Sequence, residues 1–254
     1  MTWFVLFAPY IFVFIFGACI GSFLNVVIYR LPVDESIAHP PSHCFTCGSR
    51  VKPYENIPML SYVFLKGRCG RCKSIISPRY FFVELITACL AMLVFHFYGY
   101  TYSTPIYFAF IAALIIVTFI DIDHRIIPDS ISIGGTIFGI ILAFFFNHIT
   151  FLESFIGASF GFIFLALIAF GYLFITGREG MGGGDIKLIA MIGAFLGIKG
   201  VLYVILISSV LGVIYGLSIM LIKKEGMKYQ MPYGPFLAIG ALIISFTGAD
   251  LLFF

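Results

Sequence analysis

The sequence predicts an all-α polytopic membrane protein of about eight transmembrane helices, with a small cytoplasmic zinc-binding domain inserted between the first helix and the second. Composition is the first observation behind this prediction. Of the 254 residues, 61% are hydrophobic and 11% are charged, whereas a soluble domain has about 25% charged residues. The second observation is a pair of Cys-x2-Cys motifs within the one long polar segment of the chain.

A bilayer core requires about 20 apolar residues per helix. Segments that meet this criterion span residues 4–28, 81–98, 105–122, 131–147, 151–175, 185–199, 201–222 and 233–253. The first segment lacks the basic flank of a signal peptide, and its apolar run reaches Ile28, so we expect a retained helix. The division between the sixth and seventh segments depends on Gly197, Lys199 and Gly200 alone.

The distribution of Lys and Arg orients these segments. If the N-terminus is outside, every basic residue except Lys199 falls on or near the cytoplasmic side. Both termini are therefore predicted to be outside. The polar segments 29–80, 123–130, 176–184 and 223–232 are then predicted to be cytoplasmic.

Residues 29–80 are too few to bury a large core alone, so a domain of this size usually needs a staple. The four candidate metal ligands are Cys44, Cys47, Cys69 and Cys72. Two Cys-x2-Cys pairs can complete a tetrahedral zinc site, which would be structural because four thiolates leave no open position. Two disulfides are the alternative, but the predicted cytoplasmic location is reducing.

Other residues of this region have packing or backbone roles in the prediction. Gly48 and Gly70 are expected to supply the permissive backbone that the two cysteine turns need. Cys19 and Cys89 fall in membrane spans, where we expect small apolar packing residues.

Two carboxylates at the borders of predicted spans are candidates for a functional site. Asp121 ends one apolar segment, and Asp185 opens another directly after Gly182, Gly183 and Gly184. Charged groups at a membrane border are costly to desolvate, so they are functional candidates. The glycines are expected to let the backbone approach a ligand or take positive φ angles. A P-loop is excluded because no Gly-Lys-Ser/Thr follows.

The neighbouring acids have simpler interpretations. Asp123 is two residues from Asp121, so the two side chains point about 200° apart on a helix and only one can face Asp185. Asp121 is the deeper of the two in the apolar run. Asp129 follows a proline at the start of the next helix, where the dipole favours an acid. For Asp123, a solvated pairing with Arg125 is expected.

A series of short motifs runs along nearly the whole chain. They comprise residues 21–32, the two cysteine pairs, and residues 54–58, 79–80, 83–85, 121–129, 177–188 and 232–236. In this order and spacing they resemble the type IV prepilin leader peptidases, bacterial inner-membrane aspartic peptidases of the GxGD class. On this basis the chain divides into the first transmembrane helix (1–28), the cytoplasmic zinc domain with its four cysteines (29–80) and a seven-helix membrane peptidase core (81–254).

The resemblance implies that Asp121 and Asp185 are the catalytic pair. It implies prepilin and pseudopilin substrates, cut at the cytoplasmic face of the inner membrane after the glycine that ends a short basic leader. Many members also methylate the new N-terminal residue with S-adenosylmethionine. By position, Gly67 matches a glycine linked to methyl transfer, and Glu55 is a second candidate for that activity. Arg68 stands where a lysine is often found.

Two neighbouring carboxylates cannot both ionise easily, so we expect them to share a proton. One would take a proton from the attacking water while the other polarises the scissile carbonyl. Helix polarity favours Asp185 as the base and Asp121 as the acid. Glu55 and Glu84 are candidates for attracting the basic leader, and residues 182–184 would lie beside the extended substrate.

Two other classes of function remain open at this point. One is an ion- or proton-coupled transporter with Asp121 and Asp185 as relays, although both acids lie near one face and no pair of broken spans marks a midplane site. The other is a non-enzymatic, zinc-scaffolded membrane assembly protein. A nucleic-acid partner is not expected, because the net charge of +3 is dispersed over short loops.

Overall fold

The computed structural model describes residues 2–146, 148–178, 180–223 and 231–248. In this part of the chain the secondary structure is helical, and no strand forms. The helices are α1 (Thr2–Arg30), α2 (Leu60–Phe64), α3 (Arg79–Tyr98), α4 (Ser103–His124), α5 (Asp129–Phe146), α6 (Phe151–Thr176), α7 (Gly183–Lys223) and α8 (Gly234–Thr247). The predicted all-α class is therefore confirmed.

Within the described residues, six helices, α1 and α3 to α7, are long and apolar enough to cross a membrane. Helix α7 is interrupted at Gly197, whose φ of 67° and ψ of −176° are not helical. This break coincides with the predicted division between the sixth and seventh segments. Helix α8 is apolar but has 14 residues. The chain is thus a multi-pass helical protein, and the count of eight spans stays a prediction.

The chain forms two compact units, Met1–Thr104 and Pro105–Phe254. This division differs from the predicted boundaries at residues 28 and 80, which stay a prediction. The first unit contains α1 to α3 and the cysteine-rich segment. The second contains α4 to α8 and both candidate aspartates.

In the first unit, α1 packs closely against α3. A methyl group at Gly17 would lie 2.7 Å from the Cβ atom of Ala91, and one at Gly21 would lie 2.7 Å from the Cα atom of Glu84. Small residues of this kind let two helix backbones approach in a membrane, where dispersion contacts replace the hydrophobic effect. The Asn25 side chain adds a hydrogen bond to the Tyr80 carbonyl at 3.1 Å.

The segment that follows α1 is fastened to the end of that helix by a buried arginine. Arg30 is 6% exposed. Its guanidinium donates to the carbonyls of Ser36 at 2.9 Å and Pro40 at 2.6 Å. A buried guanidinium requires such acceptors, so the entry into the cysteine-rich segment is fixed relative to α1.

In the second unit, α7 contacts α5, α6 and α8. Gly157 of α6 and Gly193 of α7 face each other so closely that a methyl group on either would collide with the backbone of the other. Gly161 approaches the carbonyl of Ile189 in the same way. The Ser154 hydroxyl donates to the Ala194 carbonyl at 2.7 Å. Helix α7, which begins near Asp185, is therefore held firmly by its neighbours.

Candidate active site

The structure brings together the two aspartates that the sequence singles out. Asp121 lies in the last turns of α4 and Asp185 in the first turn of α7. Both are buried, with exposed fractions of 5% and 9%. Their carboxylates lie close enough to interact electrostatically. Asp123 is exposed, so the expected difference between it and Asp121 is confirmed.

Asp121 has a backbone amide as a partner, and Asp185 lies beside the backbone of the loop that precedes it. The N–H of Gly234, at the first residue of α8, donates to Asp121 Oδ2 over 2.9 Å. Beside Asp185, a Cβ atom at Gly182 would lie 3.5 Å from the carboxylate. A backbone amide belongs to a fixed element, so the bond from Gly234 restricts the orientation of the Asp121 carboxyl group.

The start of α7 is anchored from two directions. Lys187 Nζ donates to Asp129 Oδ1 at 2.6 Å, which ties α7 to the first residue of α5. Gly184 packs against Ile127, where a methyl group would lie 2.9 Å from the Ile127 Cβ atom. Asp129 therefore occupies the first turn of its helix, as expected, and also forms an ion pair that holds Asp185 in place.

Among the three glycines directly before Asp185, close packing requires only Gly184. None of Gly182, Gly183 and Gly184 has a positive φ, so of the two expected roles only close backbone approach remains. A side chain at Gly184 would meet Ile127, and one at Gly182 would lie 3.5 Å from the Asp185 carboxylate. Gly183 has open space around it.

The sequence predicts different roles for the two aspartates from helix polarity, but the structure does not support this distinction. Asp185 lies at the N-terminus of α7, as expected. Asp121 lies near the C-terminus of α4 but also accepts the Gly234 amide at the N-terminus of α8. Both carboxylates therefore face a helix N-terminus, and the dipole argument assigns neither as base.

The four cysteines of the first unit form one compact cluster. Their sulfur atoms all lie within 4.8 Å of one another, and the Sγ atoms of Cys44 and Cys72 are 3.8 Å apart. Zinc–sulfur bonds of about 2.3 Å place tetrahedral sulfurs about 3.8 Å apart. All six cysteines of the chain are free thiols, so the alternative disulfides are not formed. The donor set fits a tetrahedral metal ion.

The two Cys-x2-Cys turns have the same backbone design. In each, the first cysteine N–H donates to a serine carbonyl five residues on, at 2.9 Å in both turns. The residue after the second cysteine has a positive φ, at Gly48 and at Lys73. Gly70, expected to supply a permissive backbone, does not have a positive φ. Gly70 instead leaves room for the Glu55 carboxylate, which a side chain would strike.

The first turn is arranged to stabilise thiolates. The Cys47 backbone N–H, followed by the Ser74 hydroxyl, lowers the pKa of Cys44 to about 5. The Ser49 hydroxyl lowers the pKa of Cys47 in the same direction. Thiolates are the form that binds metal, so the lowered pKa of Cys44 prepares it for ligation at neutral pH and the shift at Cys47 acts in the same sense.

Gly67 and Glu55 border the second cysteine turn. Gly67 has a φ of 65°, and a methyl group there would lie 2.8 Å from the Tyr62 hydroxyl. One carboxylate oxygen of Glu55 accepts the Lys52 amide at 3.0 Å, and the other approaches Gly70. The structure therefore places both residues around one turn of the cysteine-rich segment.

Glu84 has a structural environment. It is 8% exposed, and its carboxylate accepts the Met59 amide at 2.6 Å. Met59 has a positive φ and immediately precedes α2. The carboxylate is thus engaged in docking α2 onto α3, which argues against the expectation that Glu84 attracts a basic leader.

Sequence reasoning assigned no role to three residues that the structure places at or behind the aspartates. Gly234 bonds directly to Asp121, and Tyr233 beside it contacts Ser208 at 2.8 Å. The available signal was a glycine between two prolines, Pro232 and Pro235, directly before an apolar run. That pattern indicates a rigid helix start but not the carboxylate that faces it.

Comparison with known proteins identifies relatives over most of the chain. Residues 15–98 match the Bacterial Peptidase A24 N-terminal domain and residues 108–217 match the Type IV leader peptidase family. A Pseudomonas putida protein named prepilin leader peptidase/N-methyltransferase is 35% identical over 93% of this chain and 90% of its own length. A protein of the same name from Dichelobacter nodosus is 37% identical over 94% of this chain and 92% of its own length. Another from Myxococcus xanthus is 40% identical over 83% of this chain and 63% of its own length. No solved structure matches the chain.

The helical membrane fold holds two buried, interacting aspartates, one of them behind a Gly-x-Gly-Asp loop, and both matched domains are peptidase domains, so the chain is a membrane peptidase. The similarity to the Pseudomonas putida and Dichelobacter nodosus proteins covers most of this chain and most of each relative. The chain belongs to the type IV leader peptidase family.

Proposed function

We propose that this protein is an endopeptidase that removes the basic leader of type IV prepilins and pseudopilins and N-methylates the new N-terminus. The observation that carries the peptidase proposal is the pair of buried carboxylates at Asp121 and Asp185. The names of the relatives supply the substrate class and the second activity.

Asp121 and Asp185 are the proposed catalytic pair. Two carboxylates in one buried site share a proton. The ionised carboxylate takes a proton from water as the water oxygen attacks the scissile carbonyl carbon. The protonated carboxyl donates a hydrogen bond to the carbonyl oxygen and then supplies the proton on which the amine leaves. The amide of Gly234 holds the Asp121 carboxylate in place.

The segment of residues 182–184 is the proposed contact for the extended substrate backbone. Gly183 has open space where a side chain would be. A peptide chain can therefore lie close to the loop that precedes Asp185. We place this site at the cytoplasmic face of the bacterial inner membrane, with both termini outside, because that orientation puts nearly all Lys and Arg residues inside.

Zinc is the proposed occupant of the cysteine cluster, held by Cys44, Cys47, Cys69 and Cys72. A bound zinc ion would join the two turns and fix the polar segment between α1 and α3. Its four thiolate ligands leave no position for water or substrate. The proposed role is therefore structural.

Methyl transfer is proposed from the relatives and from the placement of Gly67 and Glu55, with S-adenosylmethionine as the donor. Nearby is a cleft of about 450 Å³ lined by Phe64, Leu65, Lys66, Arg68 and Lys73. Its lining contains three cations and no acid, whereas the donor carries a sulfonium and an ammonium group beside one carboxylate and has a net positive charge. The cleft is therefore not complementary in charge to the donor, and no step is assigned to it.

Intact-mass analysis of a pilin-like substrate co-expressed with this protein tests the function. Loss of the leader together with a methyl-sized increment is the expected result. Leader loss without the increment would remove the methylase proposal and leave the peptidase. A substrate that stays uncut, while a relative from Pseudomonas putida or Dichelobacter nodosus cuts it, would contradict the peptidase proposal.

A further inference from the structure

The start of α8 touches Asp121 directly. Gly234 is the first residue of the helix, and its N–H donates to Asp121 Oδ2 over 2.9 Å in a buried setting. The two residues are 113 positions apart. A buried amide bonded to a carboxylate is a strong, charge-assisted contact, so this bond connects the position of α8 to the orientation of Asp121.

We propose that residues 232–234, here termed the α8 turn, position the Asp121 carboxylate for catalysis. In this proposal Gly234 is the positioning residue, and the hydrogen bond between Tyr233 and Ser208 anchors it. The inference rests on the proposed function, in which Asp121 is catalytic.

Glycine is required at position 234 by space. A Cβ atom there would lie 2.8 Å from Asp121 Oδ2 and 3.3 Å from its Cγ atom. The first distance is shorter than real contacts of a Cβ atom, so the carboxylate of Gly234→Ala would have to move. A displacement of about 1 Å from the productive geometry can reduce a rate by about 100-fold.

The α8 turn is itself fixed to α7. The Tyr233 hydroxyl lies 2.8 Å from the Ser208 hydroxyl and 3.5 Å from that of Ser209. Ser208 is fully buried. Helix α7 also carries Asp185 in its first turn. The two segments of α7 therefore support both aspartates: the segment before Gly197 carries Asp185, and the segment after it supports Asp121 through Tyr233 and Gly234.

A measurement of the Gly234 amide tests the contact without any substrate. The chain has three Tyr-Gly pairs, which end at Gly99, Gly216 and Gly234. Labelling tyrosine carbonyls with 13C and glycine with 15N in the full-length protein in detergent micelles therefore gives three selected signals. The signal absent in Gly234→Ala is that of Gly234.

We expect the Gly234 signal to titrate with pH in the wild-type protein and in Asp123→Asn. In Asp121→Asn the titration should fall to the level of Gly216. A Gly234 signal that is independent of pH in the wild-type protein, or that titrates unchanged in Asp121→Asn, would overturn the proposal. Because no cleavage is measured, this result separates a failure of the contact from a failure of the proposed peptidase function.

Cleavage kinetics test the consequence of the contact. We expect Gly234→Ala to lower kcat by about 10-fold to 100-fold with little change in KM, as loss of geometry in the chemical step requires. Gly216→Ala is the matched control, because it also follows a tyrosine and a methyl group there meets nothing within 4 Å. Wild-type kcat per folded Gly234→Ala molecule would overturn the positioning role.

Variants of Tyr233 and Ser208 test separately whether their hydrogen bond anchors the α8 turn. Tyr233→Phe should lower kcat by about 3-fold to 10-fold, and Ser208→Ala should lower it less, since Ser209 can replace the lost partner. Ser218→Ala is the control, because its hydroxyl donates to the Ile214 carbonyl of the same helix. If Tyr233→Phe leaves kcat equal to that of the control, the anchor has no part in positioning Asp121.

Discussion

Asp121 and Asp123 show how much single residues reveal about this site. Their spacing and the apolar run before Asp121 predict which of them is buried, and the structure agrees. The bond from Gly234 to Asp121 could not be predicted in the same way. It joins residues 113 positions apart, and local periodicity carries no information about such a pairing.

Glu84 is expected to act as a structural acceptor rather than a surface acid. In Glu84→Leu the Met59 amide would lose its acceptor in a buried setting, which costs about 1–3 kcal/mol. Hydrogen exchange of residues 59–65 should therefore accelerate. Glu35→Leu, at an exposed acid of the same unit, serves as the control. Equal exchange in the two variants would show that Glu84 does not hold α2.

The Cys44 thiol is expected to react as a thiolate in the metal-free protein. Its pKa is lowered from the ordinary thiol value to about 5. The thiolate is therefore the major form above about pH 5. The alkylation rate should rise through that pH and be level between pH 7 and 9. Mass spectrometry after timed iodoacetamide treatment measures this rate.

The same alkylation measurement, repeated with added zinc, tests the metal site. Added zinc should protect Cys44 from alkylation, because the metal occupies the thiolate. An alkylation rate that keeps rising from pH 7 to 9, as for a thiol with a pKa of about 8.5, would contradict the account of the first cysteine turn.

At the scale of elements, helix positions follow closely from apolar runs, whereas details of the turns do not. The predicted segment 151–175 corresponds to α6, which the structure places at Phe151–Thr176. In the cysteine turns, a glycine after Cys47 indicates the positive φ, but the equivalent position after Cys72 is Lys73. Lysine gives no sequence signal for that conformation, because the surrounding hydrogen bonds impose it.

The close contact between α6 and α7 is expected to tolerate no side chain. Gly193→Ala places a methyl group against the Gly157 carbonyl, and overpacking of this kind costs about 1–3 kcal/mol. The thermal unfolding midpoint in detergent should fall. Gly171→Ala is the matched control on α6, since a methyl group there meets nothing within 4 Å. An unchanged midpoint in Gly193→Ala would mean that the helices can separate without cost.

At the scale of the whole molecule, the distribution of charge predicts the orientation in the membrane. Lys199 is exposed beside the break in α7, and Arg178 follows the end of α6. A membrane-impermeant maleimide applied to intact cells stripped of the outer membrane should label Lys199→Cys and leave Arg178→Cys unlabelled. The reverse pattern would place the aspartates at the outer face and contradict the predicted topology.

The most direct test of the account compares prepilin cleavage by the purified wild-type protein and by Asp121→Asn, Asp185→Asn and Asp123→Asn. The two buried aspartates are proposed to act as one unit, so either of their substitutions should leave the substrate uncut. Asp123→Asn, which changes an exposed acid of the same helix, should cleave like the wild type. Cleavage that persists in Asp121→Asn or Asp185→Asn at the wild-type rate would contradict the aspartic mechanism.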